Sequence, residues 1–469
     1  MLARIERFKT ICMCAAGLTM SLAIFGPQIV GPILFARPAR FNDLRHFYVG
    51  ALLARTPYDA DLVARTQKRV SPTDFEPNIT LNRLPFYYAI LSPMSRLPIE
   101  SAQRLWLALL LLATILTWMI WPFDRSRLAV ALCFSWPLAI SLAMEQDLAF
   151  VMLAIAGGER LRVSHRPSLA GAAFSLALIK WHFMIFFPVL LVIRREYRLF
   201  AGWLAGAAVL VAISFADAGP HWPAQYLSIL RGELRFGSAG EWVTLHAVAL
   251  RFGAGITMEG AASVVVAGLV LFVIWRARSF EFSLAAALLG GLLLARHACV
   301  WDCTVILLPL ILLSRWALPI GAIATVMLAP PVYMVGVINA SWIVGVALLL
   351  LLSAMAAESW LVMLERLSIT CSCNGRIITD TDTTVHPLKR IRGMARSAKL
   401  RRPGKRAYAG RSASRPEKAC PANVDIFHEF AHYPVVSPSY LLDNRPVRRN
   451  EVGFLLRLPR RQTLDRPCS

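Results

Sequence analysis

The chain has 469 residues, 57% of them hydrophobic, with a mean hydropathy of +0.55. That apolar content excludes an ordinary water-soluble globular protein. The formal charge of +22 does not mark a nucleic-acid surface. From Arg366 to Ser469 there are 21 Lys/Arg against 8 Asp/Glu, and most of the remaining excess lies in short junctions between apolar runs. Such junctions match the bias of membrane proteins toward basic cytoplasmic loops. No nucleic-acid partner is expected.

An all-α, polytopic membrane helix bundle is therefore expected, with about 10–12 membrane segments including short broken hairpins. Residues 1–10 form a basic cytoplasmic start. An apolar run from Ile11 to about Ala36 follows, long enough to span ~30 Å of hydrocarbon at 1.5 Å per residue and too long for a signal-peptide core. A polar stretch, 37–101, then forms an extracytoplasmic first loop, and Ala102–Pro122 crosses back to Asp124-Arg125-Ser126-Arg127.

Three similar units come next, each an apolar run, a polar apex and a second apolar run, bracketed by basic residues. Leu128–Gly157 has Glu145-Gln146-Asp147 at its apex. Ser168–Ile193 has Lys180-Trp181-His182. Phe282–Leu313 has Arg296-His297 and Trp301-Asp302. Arms of about 11–16 residues are short for a full crossing. They read as broken helices whose freed backbone groups need protein or water for partners. Leu199–Phe215 and Glu259–Trp275 supply two further crossings, and Trp316–Ala329 and Tyr333–Ala357 complete a membrane domain over residues 11–360. Residues 361–469 form a basic cytoplasmic tail whose Arg, Pro and Ser content reads as disordered. A multi-pass protein of the cell inner (plasma) membrane, with both termini cytoplasmic, follows from the charge bias.

In this topology Asp43 and the three apices share the outer half of the bundle. Charged groups at membrane depth usually mark a functional cavity. Lys180, His182, Arg296 and His297 suit an anion such as a phosphate. Asp43 is placed to act as a general base. His46, Tyr48, Arg83, Glu145, Gln146, Asp147, Trp301 and Asp302 are expected around the same cavity. Two other patterns carry less weight. His428-Glu429-Phe430-Ala431-His432 fits a zincin spacing, but Pro434 follows at once and no apolar-periodic helix carries it. Asn78-Ile79-Thr80 is a glycosylation sequon by pattern. The nine cysteines are scattered and form no disulfide framework. No metal site and no cofactor are expected.

Phe41-Asn42-Asp43-Leu44-Arg45-His46-Phe47-Tyr48, then Thr56-Pro57-Tyr58-Asp59 and Leu84-Pro85-Phe86-Tyr87-Tyr88, resembles the first outer loop of family-87 glycosyltransferases. Further elements agree in order: Glu145-Gln146-Asp147 with a Gly-Gln-Asn-like element, Ile179-Lys180 with a Lys-Pro-like one, and Arg296–Asp302 with a Ser-Pro-His-x-x-x-Tyr-Asp-like segment. Three positions depart from the pattern: Glu145 and Arg55 stand at glycine positions, and Trp181 at a proline position.

The resemblance implies a bundle of GT-C architecture. It implies inverting transfer of a hexose, most readily mannose, from a polyprenyl-phosphate donor to a glycan or glycolipid acceptor at the extracytoplasmic face. Asp43 would be the base, and Lys180, His182, Arg296 and His297 would hold the donor phosphate. A transporter or flippase for a lipid-linked or anionic substrate also accounts for broken helices and central charges. The long first loop carrying Asp43 favours the enzyme. A third reading is an inactive relative of the family.

Overall fold

The computed structural model describes residues 2–35, 43–70, 81–233, 240–316 and 319–375. The candidate sequon at Asn78, the His428–His432 pattern and the basic tail beyond 375 lie outside the described residues. Residues 1–363 form one compact unit. Of a second, from Leu364 on, only helical backbone to Gly375 is described.

The chain enters as α1 (Leu2–Phe35), followed by three helices in the first loop, α2 (Leu44–Leu52), α3 (Ala60–Val70) and α4 (Pro85–Leu91). The long helix α5 (Ile99–Ile120) leads to the first hairpin, made of α6 (Arg125–Phe134), α7 (Trp136–Ala143) and α8 (Leu148–Val163). The second hairpin is α9 (Pro167–Ser175), a 3₁₀ segment (Leu176–Met184) and α10 (Phe187–Ile193). Then come α11 (Tyr197–Ala218), α12 (Trp222–Glu233), α13 (Leu245–Arg251) and α14 (Ile256–Arg276). The third hairpin is α15 (Phe280–Leu294), a 3₁₀ segment (Val300–Ile306) and α16 (Leu307–Leu313). Short α17 (Ile320–Met327) and α18 (Pro331–Met334) precede α19 (Trp342–Gly375).

Among the described residues five helices are long and apolar enough to cross a membrane. The number rises to seven if α6–α7, bent by 59°, and the second hairpin, bent by 107°, each count as one span. The chain is a multi-pass membrane protein. Phe280–Leu294 and Val300–Leu313 are apolar but shorter, as expected for hairpin arms that stop at a polar apex.

Local chemistry sets the breaks. Ser135 ends α6 and caps α7, its hydroxyl accepting from the Leu138 N–H at 3.2 Å. Lys180 leaves helical geometry inside its 3₁₀ segment, with φ −120° and ψ 70°. The helix expected from Tyr333 begins instead at Trp342. Pro330-Pro331 opens only a single turn, and Asn339, left-handed at φ 54°, closes the 3₁₀ turn after it. Similarly, in the run expected to cross at Trp316–Ala329, the described residues are helical over Ile320–Met327.

Close backbone approach holds the second hairpin in place. A Cβ on Gly202 of α11 would lie 1.9 Å from the Ser168 carbonyl oxygen of α9, and one on Gly291 of α15 would lie 2.4 Å from that of Phe183. Only glycine permits these crossings, the usual device where helices cannot rely on water to drive them together.

At the opposite, basic end the hairpins are tied by charge. Arg315 pairs with Asp124, and Arg162 pairs with Glu159 at 2.8 Å and with Glu281. The Arg194 guanidinium donates to the Ala277 carbonyl at 2.6 Å. The first loop is no floating appendage: Leu44, Phe47, Tyr48 and Val49 of α2 are buried, and Phe47 packs edge-on against Tyr87 of α4 and Trp106 of α5.

Candidate functional site

All three apices and the first loop converge on one cavity of about 150 Å³. Asp43 stands at the start of α2. Its backbone N–H donates to the Met144 carbonyl at 3.0 Å, so the first loop is stitched to the first apex. Its side chain keeps 28% of its surface and lines the cavity. His46, one turn along, places Nδ1 3.7 Å from the Asp43 carboxylate. Burial pushes the Asp43 carboxyl above its ordinary value, and the nearby charges of His46, Arg83 and Lys180 only partly offset this.

Opposite charges from four chain segments meet beside it. Arg83 grips Asp147 at two points, Nε to Oδ2 at 2.9 Å and Nη2 to Oδ1 at 3.3 Å. The Tyr88 hydroxyl accepts the Arg83 N–H at 3.1 Å, and the Tyr58 hydroxyl donates to the Arg83 carbonyl at 2.7 Å. Lys180 Nζ donates to Asp302 Oδ1 at 2.6 Å and Gln146 Oε1 at 3.2 Å, and stands 3.7 Å from Asp147. The other Asp302 oxygen accepts the Cys299 N–H at 2.8 Å. The result is an alternating chain, Arg83–Asp147–Lys180–Asp302, with no net charge. Paired and hydrogen-bonded in this way, four charges are tolerated where any one alone would be expensive.

On the remaining wall are His182 from the second apex and His297 from the third, ring centroids 6.2 Å apart, with Trp301 close by. Asp43, His46, Arg83, Gln146, Lys180, His182, His297, Trp301 and Asp302 all line this one cavity.

Asp147 is fully buried against Arg83 and Lys180 and does not itself line the cavity, and three more expected residues lie elsewhere. Tyr48 turns its hydroxyl to the Leu97 carbonyl at 2.7 Å. Glu145 is fully buried behind the apex, where Gln103 Nε2 donates to its carboxylate at 2.5 Å and Trp106 Nε1 donates to its carbonyl at 2.8 Å. Its φ of 57° is left-handed, a conformation glycine takes without strain. That accounts for the glycine in the pattern at this position and shows what Glu145 needs in order to replace it. Arg296 points into a second cavity, with Glu259 at 3.8 Å.

Asn82, Leu81 and Cys299 line the main cavity without having been expected there. Asn82 and Leu81 flank Arg83 and Cys299 precedes Trp301, so neighbourhood to an expected residue was the only available signal. Tyr226 of α12 also went unread: it accepts the Trp181 indole N–H at 2.7 Å and donates to the Asn82 carbonyl at 3.2 Å. Among the described residues no group of three or more His, Cys, Asp or Glu is placed to hold a metal ion.

The model of glycosyltransferase family 87 matches residues 85–301. The match covers all three apices up to Trp301 and leaves Asp43, Arg83 and Asp302 outside. No curated protein and no solved structure matches the chain.

Proposed function

With its residues 85–301 making this chain a glycosyltransferase of family 87, we propose that it moves a hexose, most simply mannose, from a polyprenyl-phosphate sugar to an acceptor hydroxyl. The reaction takes place at the extracytoplasmic face of the plasma membrane in a bundle of GT-C type, with both termini cytoplasmic. The acceptor is a glycan or glycolipid. The observation that carries this reading is the position of Asp43: one carboxylate outside the Arg83–Asp147–Lys180–Asp302 chain, facing a cavity whose far wall holds His182 and His297.

Asp43 accepts the proton of the acceptor hydroxyl as its oxygen attacks the anomeric carbon. The new C–O bond forms as the bond to the phosphate oxygen breaks on the opposite face, so the anomeric configuration inverts. The electron pair leaves on the polyprenyl phosphate. Imidazole N–H groups of His182 and His297 stabilise that developing charge in a site where water does not screen them. Lys180 contributes chiefly by fixing Asp302, Gln146 and Asp147, since its ammonium is already engaged by them. Elevation of the Asp43 carboxyl supports its role, because a stronger base is a better proton acceptor.

The test is sugar transfer from polyprenyl-phosphate mannose in membranes. Wild type transfers, and Asp43→Asn loses about 10²–10⁴-fold, the usual share of a positioned base. Equal rates remove Asp43 from the mechanism. No transfer from any polyprenyl-phosphate sugar returns weight to a transporter.

A further inference from the structure

We propose that the second cavity, between α13, α14 and α15, binds the phosphate head of a membrane lipid. The cavity measures about 190 Å³. Its polar end is made by three side chains the transfer mechanism does not use: Arg296, His246 and Glu259. His246 Nδ1 and Glu259 Oε1 stand 2.8 Å apart, so the carboxylate fixes the imidazole and leaves Nε2 turned to other partners. Glu259 also faces Arg296, but at 3.8 Å, and the Arg296 side chain is half exposed. A guanidinium carries five N–H donors in a fork that fits a phosphate at two points. Only that one long contact engages it among the described residues.

Apart from Ser263, whose hydroxyl donates to the Glu259 carbonyl at 2.9 Å, the rest of the cavity is apolar, with Leu245, Ile256 and Leu293 on its walls. Ile256 is 83% exposed, and Val264 and Leu271, eight and fifteen residues on, continue an exposed apolar stripe along the same side of α14. In a membrane protein such a surface faces acyl chains. A ligand whose head meets Arg296 and whose tail runs along α14 therefore needs both an anion and a hydrocarbon chain. Free phosphate satisfies only the first. Arg296 and His297 are adjacent in sequence and open into different cavities, which places this site next to the leaving-group side of the catalytic cavity. Identifying the lipid as polyprenyl phosphate, held after sugar transfer or before re-entry, rests on the proposed transfer reaction. The binding site itself does not.

Gly260 gives a direct probe. It lines the cavity, and a Cβ there meets nothing within 4 Å, so Gly260→Leu fills the space without a backbone clash. Retention of farnesyl phosphate by the purified protein is read by native mass spectrometry. The background is His182→Ala/His297→Ala, which strips the basic rings from the catalytic cavity. Arg296→Gln and Gly260→Leu are each expected to weaken retention about tenfold or more, the loss of a charge-assisted bond, while melting close to their parent.

Unchanged retention in both variants overturns the proposal. Equal competition by inorganic phosphate also overturns it, because the site is then for a free anion. Equal competition by phosphatidic acid keeps the lipid-phosphate site and assigns it to bulk phospholipid. Wild-type transfer that depends on Asp43, together with unchanged retention, removes this inference alone. Variant-sensitive retention without transfer removes only the reaction.

Discussion

Arg83 of the first loop and Asp147 of the first apex meet at two points, 2.9 and 3.3 Å, across 64 residues of sequence. The pair locks a loop that carries Asp43 onto the hairpin that carries the family segment. Breaking one side leaves a charge buried without its match, at a cost of roughly 3–5 kcal/mol. Asp147→Asn should therefore lower the melting temperature sharply in detergent, and the double variant Arg83→Met/Asp147→Leu should recover much of the loss. Failure of the double variant to recover would mean the pair acts by more than mutual neutralisation.

Burial raises the Asp43 carboxyl, and the consequence falls on activity. A base raised above 3.8 by burial gives an acid limb that begins at higher pH than an exposed aspartate would. His46 is the strongest of the nearby charges opposing that rise. His46→Ala should move the acid limb of the rate profile to higher pH while leaving the plateau rate within about tenfold. A limb unmoved by the substitution would remove His46 from the electrostatics of Asp43.

Glu145 offers a test of backbone strain. Glycine relieves the left-handed conformation at φ 57°, yet Glu145→Gly also discards the bond from Gln103. The two effects are each about 1 kcal/mol and oppose one another. Glu145→Gly should melt close to wild type, whereas Glu145→Ala loses the bond without relieving the strain and should melt lower. The reverse order would show that the side chain, not the backbone, sets the apex.

Helix crossing gives a further expectation. Gly202→Ala drives a methyl toward the Ser168 carbonyl and should cost about 1–3 kcal/mol or more, with reduced folded yield. Gly260→Ala, with open space around it, should be neutral or slightly stabilising. Comparable melting of the two variants would contradict the close α9–α11 approach.

Much of this arrangement was legible as pattern. Hydrocarbon length, basic junctions and the polar interruptions at Glu145–Asp147, Lys180–His182 and Arg296–Asp302 are one-dimensional signals, because a bilayer imposes a fixed length and a strong penalty on charge. They place the hairpins and the apices, and the sequence order of the apices carries the family resemblance. They do not say which charges neutralise one another. Lys180 reads as a free cation in the sequence and is held by Asp302, Gln146 and Asp147 in the fold. Arg296 and His297 read as one basic apex, and packing turns them into different cavities. His246 and Glu259, 13 residues apart with no motif between them, come together only because α13 folds against α14. Pairing depends on side-chain direction and helix packing over long sequence separations, and hydropathy and residue spacing carry neither.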